Sequence, residues 1–190
     1  MIFLIFFELI FVAILLFAIY TFVRAVFIRI SFLKKLKALS KEKNYVIIKK
    51  RAFFASFFKN APVPDVILKT NDTEYLIRFI TCKARKSFYH FASREYFAHT
   101  IKVVFALPLS KEATHLSIFP TFRYLPTLRQ EFCEESGGTK HQTVLLFSPA
   151  PVEICYQNRV LSNGSMLEDC LIYNGNGFID YLKSTDRGET

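Results

Sequence analysis

The first 23 residues contain no lysine or arginine and one acid, Glu8. A cleaved signal peptide needs a basic start, a shorter apolar region and a small-x-small cleavage site, and none of these is here. Residues 2–23 are apolar except for Glu8, Tyr20 and Thr21, and Arg24-Ala25-Val26-Phe27 follows. A helix of that length spans about 33 Å, enough for a bilayer core. The pattern predicts an uncleaved single-pass transmembrane anchor over residues 1–23. Glu8, inside the span, is expected to reach outward to water or to meet another membrane helix.

Other absences remove whole classes of chemistry. None of Cys82, Cys133, Cys155 and Cys170 belongs to a Cys-x-x-Cys pair, and His90, His99, His115 and His141 form no His-x-x-x-His pair. Zinc ligands come at short fixed spacings, so no metal site and no cofactor is expected, and the thiols are read as free. No Gly-x-Ser-x-Gly elbow marks a nucleophile. Gly138-Thr139-Lys140 lacks the preceding glycine and the strand of a phosphate-binding loop.

The formal net charge is +9, but it is unevenly spread. Ten of the 25 basic residues lie between Arg24 and Arg51, where Glu42 is the only acid. The remaining fifteen face fourteen of the 16 acids, so residues 52–190 are close to neutral. Basic residues beside a span stay on the cytoplasmic side, which predicts an outward N-terminus and a cytoplasmic domain at the cell membrane. Residues 24–43 read as a basic juxtamembrane helix. Its Arg24, Arg29, Lys34, Lys35, Lys37, Lys41 and Lys43 are the expected contacts to anionic lipid headgroups. Nucleic acid is the lesser candidate for this stretch.

Beyond Asn44 the composition turns β-branched and aromatic. Strands are expected over 45–50, 52–58, 66–69, 75–82, 87–91, 95–107, 143–147, 152–156 and 170–173, with turns at Asn71-Asp72 and Asn163-Gly164. A short helix is expected over 128–134, a corner at residues 174–177 and a final helix over 178–183. The fold class is α/β, a transmembrane helix followed by a mixed-sheet cytoplasmic domain over residues 44–183 and a flexible tail over 184–190.

One stretch carries a resemblance. In "PDVILKTNDTEYLIRFITCK", Asp65 opens a hairpin that closes on Lys83. Together with "TVLLFSPAP" and "CLIYNGNGFIDYL", it resembles the restriction-endonuclease-like fold, in its nuclease-related and Mrr-type branch. The likeness covers residues 44–83 and 142–183. The family places an acid where Asp65 stands, a second acid where this chain has Thr81, and a lysine where Lys83 stands. Two carboxylates are what hold the family's Mg²⁺ and activate water. With Thr81 in the second place the resemblance implies a degenerate, non-catalytic copy. The plainer alternative is that Asp65 and Lys83 merely flank two strands. Either way the expected function is a membrane-tethered binding or interaction module. The alternatives are a membrane-anchored metal-dependent nuclease-like enzyme, and a subunit of a membrane protein complex contacted through residues 87–140.

Overall fold

The computed structural model describes residues 2–52, 61–81, 87–106, 113–129, 132 and 139–185. Lys83, Cys82, Cys133, the expected strand over 52–58 beyond Ala52, most of the expected 128–134 helix and the end of the tail lie outside them. The order is helix α1 (Ile2–Glu42), strands β1 (Val46–Lys49), β2 (Val66–Lys69), β3 (Thr73–Ile80), β4 (Ser87–Phe91), β5 (Tyr96–Ala106), β6 (Ala113–Tyr124), β7 (Lys140–Phe147), β8 (Glu153–Tyr156), β9 (Arg159–Val160), β10 (Met166–Leu167) and β11 (Cys170–Asn174), then helix α2 (Gly175–Thr185).

Helix α1 has two characters. Its apolar half is bare, with large side chains such as Phe7, Phe11 and Phe17 exposed, and it is long and apolar enough to cross a membrane. From Ala25 onward one face is buried: Ala25, Arg29, Phe32, Leu36 and Leu39 recur at the three- and four-residue steps of a helix stripe. Lys34, Lys35, Lys37 and Lys41 stay exposed. The segment 24–43, expected as a basic juxtamembrane helix ahead of a domain over 44–183, packs its buried stripe into the core of that domain.

The stripe rests on a six-stranded mixed sheet of order β1-β2-β3-β7-β11-β10. Strands β1, β2 and β3 form an antiparallel meander, and β3, β7 and β11 run parallel. Alternate side chains of each strand serve opposite layers. Tyr75, Ile77, Phe79, Val144 and Leu146 meet α1 and α2 on one face. Ile80, Leu145, Phe147 and Ile172 meet a second sheet, β6-β5-β4-β8-β9, through Tyr89, Phe91 and Phe97. The central strands are therefore covered on both faces, which is why "TVLLF" and "CLIY" are apolar without a break. The expectation of one mixed sheet omitted this second sheet.

Helix α2 begins three residues earlier than expected, at Gly175. Asn174 caps it, its Oδ1 accepting the Gly177 N–H at 2.7 Å. A Cβ on Gly175 would come 3.3 Å from the Phe32 ring, so glycine lets the start of α2 approach α1 closely.

Candidate functional site: an aspartate among arginines

Asp65 sits one residue before β2, where the meander tightens. Its N–H donates to the Ile77 carbonyl, and its carbonyl accepts from Lys50 N–H, which ties β1, β2 and β3 together at one point. The carboxylate is engaged at both oxygens. Oδ2 accepts the Phe79 N–H at 2.8 Å, and Oδ1 accepts from Arg51 Nη1 at 3.0 Å. The side chains of this ion pair are 11% and 6% exposed.

Two further guanidinium groups act on the same carboxylate, Arg29 from α1 and Arg78 from β3. Arg78 donates to the carbonyls of Pro126 and Ala61, pinning two crossing loops. Arg29 donates from Nη2 to Thr81 Oγ1 at 2.7 Å and lies over the Phe79 ring, 4.4 Å from its centroid. Thr81, standing where the resembled family has its second acid, therefore receives a cation.

Burial sets the electrostatics. It pushes the Asp65 carboxyl up from its ordinary value, against the pull of the Phe79 N–H, Arg51, Arg29 and Arg78. It also lowers Arg29 to about 10, with Asp65 acting in the opposite direction, and lowers Arg78. One carboxylate set among three guanidinium groups leaves a cationic cluster. Such a surrounding repels a divalent cation and favours an anion or a buried ion-pair network. Among the described residues no group of three His, Cys, Asp or Glu side chains is placed to hold a metal.

The sequence-predicted lipid contacts divide. Arg29 is 0% exposed, so its assignment to the membrane surface is corrected: it belongs to the Asp65 cluster. Arg29 belongs to the basic run along the chain, but in the helix it sits on the buried stripe between Ala25 and Phe32. That placement, an arginine at an apolar helical position, was the available signal. Arg78, within the apolar run of β3, carried the same kind of signal. Lys34, Lys37 and Lys41 are exposed, while Arg24 and Lys43 are half-buried. Lys35 donates to Asn176 Oδ1 at 3.0 Å. Glu8 is exposed on the bare part of α1, and Lys83 lies outside the described residues.

Cys170 is buried and free, its thiol pushed up to about 12 by burial and by Asp169 beside it. No protein-family model, no curated protein and no solved structure matches this chain.

Proposed function

We propose that this chain is a membrane-tethered binding module, with a cytoplasmic domain built on a degenerate restriction-endonuclease-like fold that does not cut nucleic acid. The observation that carries the reading is the capture of the Asp65 carboxylate by Arg51 and the Phe79 N–H, with Arg29 bonded to Thr81. A Mg²⁺ ion demands several oxygen ligands and a negative surrounding. Here the position is cationic and its carboxylate oxygens are already used. The succession of helix, antiparallel meander, parallel buried strand, last strand and helix is the order the resemblance implies, and it supports the same reading. The exposed lysines of α1 support contact with anionic headgroups on the side to which charge asymmetry assigns the domain.

The test uses the full chain in lipid nanodiscs with Mg²⁺ or Mn²⁺ and either DNA or RNA. The expected result is no cleavage and no saturable divalent binding by calorimetry. Metal-dependent cleavage that Asp65→Ala abolishes would overturn the proposal. Orientation is tested separately. A reporter active only outside the cell, fused after Thr190, should stay silent.

A second reading, a subunit of a membrane complex, is favoured by the outer face of the second sheet. Tyr96, Phe122 and Tyr124 lie together there through the pairs Tyr96↔Tyr124 and Ala98↔Phe122, and Phe122 is 81% exposed. Under this reading Phe122→Ser removes a co-purifying membrane protein and leaves the unfolding midpoint unchanged.

A further inference from the structure

A crevice of about 300 Å³ opens between α1 and the start of α2, beyond the carboxyl ends of the parallel strands β7 and β11. Its polar lining is distinctive. Lys35 supplies an ammonium group, and among the described residues no carboxylate lines the crevice; Glu42 and Asp180 line the neighbouring groove, which Lys35 also borders. The first N–H groups of a helix have no intrahelical acceptor. Asn174 Oδ1 satisfies that of Gly177, and Gly175 and Asn176 lie at the crevice. Ser148 also lines it and is 2% exposed, and its Oγ meets no hydrogen-bond partner among the described residues. A buried hydroxyl without a partner is costly, and it is explained where a ligand supplies one.

The geometry points to a binding site for a phosphomonoester in this crevice, held by Lys35, Ser148 and the amino end of α2. An ammonium, a hydroxyl and helix-terminal N–H groups are the donors that suit a multiply charged tetrahedral oxyanion. The crevice is roomier than a bare phosphate requires, and Phe32, Phe147 and Pro149 supply apolar walls for an organic substituent. Two sources present this chemistry: a phosphomonoester lipid headgroup and a soluble phosphorylated molecule. The lipid source rests on the membrane-tethered reading. At 1.5 Å per residue, Ile28 and Lys35 stand about 6 and 16 Å along α1 from Arg24, so the crevice begins at headgroup depth. The soluble source does not depend on that reading.

The experiment takes the full chain in phosphatidylcholine nanodiscs and adds either inorganic phosphate or phosphatidic acid. Bound phosphate is read by equilibrium dialysis and bound lipid by native mass spectrometry. Saturable binding of at least one probe is expected. Lys35→Gln and Ser148→Ala should each weaken it about tenfold or more, the loss of a hydrogen bond to a charged group. Lys140→Gln, exposed at the start of β7 and so at the opposite end of that strand from the crevice, should leave it unchanged. Saturation by phosphatidic acid alone assigns the lipid source, and saturation by inorganic phosphate assigns the soluble one. Lys35 is exposed, so its variant keeps the wild-type unfolding midpoint and tests the site even if Ser148→Ala disturbs packing. No saturable binding of either probe, or binding that Lys35→Gln leaves intact, overturns the site.

Discussion

Cutting the chain at residue 44 should unfold the domain, whereas cutting it at residue 24 should not. The loss at residue 44 removes Phe32, Leu36 and Leu39, which are 4%, 0% and 3% exposed and pack against Phe79, Val66, Leu146 and their neighbours. Burying one such side chain fully contributes about 1.5–3 kcal/mol, so the three together supply roughly 5–9 kcal/mol. The whole stability of a domain this size is about 5–15 kcal/mol. The truncation also strips Arg29 from Thr81 and uncovers the inner face of β3 and β7. Fragments 24–190 and 44–190 are compared by urea denaturation followed by circular dichroism. The longer fragment should give one cooperative transition, and the shorter should show none. Within the longer fragment, Leu36→Ala should lower stability by about 2–5 kcal/mol, the cost of a buried leucine cavity. A 44–190 fragment that unfolds cooperatively, within about 2 kcal/mol of the longer one, would refute the packing argument.

Asp65→Ala should destabilise the 24–190 fragment by about 3–5 kcal/mol, because it leaves buried guanidinium groups uncompensated. Asp65→Asn should cost less, its amide oxygen still accepting the Phe79 N–H, and equal midpoints for the two variants in urea would contradict this. Cys170 titrates in the folded protein at about 12 against an ordinary 9.0, so any stability it contributes is full below pH 9 and is lost as pH rises toward 12. Its thiol should therefore resist iodoacetamide at pH 8 in the native state and react once urea is added; equal rates in both states would refute the burial argument. Fragment 24–190 should bind anionic vesicles and release as salt rises. Substituting Lys34, Lys37 and Lys41 by Gln should weaken that binding by about 1 kcal/mol each, whereas undiminished binding to neutral vesicles would assign the attraction to apolar contact.

What the sequence disclosed followed from how locally each feature is specified. Strands β7 and β11 were legible because a strand covered on both faces is apolar throughout, and the hairpin because Thr70 closes it, Oγ1 and N–H both donating to the Thr73 carbonyl. Strand β6 was hidden by Pro120. The register shifts opposite Thr100, where His99 pairs with Thr121 but Ile101 pairs with Ile118, so the proline falls at an irregularity on an edge strand. There a missing N–H is tolerated. The corner expected at 174–177 became helix because a single side chain, Asn174, supplies the cap. The family resemblance pointed to Asp65 and Thr81 but not to their partners, because Arg29 and Thr81 stand 52 positions apart and only α1 lying across β3 brings them together.

Helix α1 runs without a break from its bare apolar half into the domain core. On the membrane-tethered reading the chain has no hinge between lipid and domain, so the module behaves as a lever and not as a tethered ball. The segment from Ala25 to Glu42 is about 26 Å long. A tilt of about 20°, common for membrane helices, swings its far end by roughly 9 Å and carries both sheets with it. Bilayer thickness, which governs tilt, thereby sets where the Asp65 cluster and the crevice beside Lys35 face.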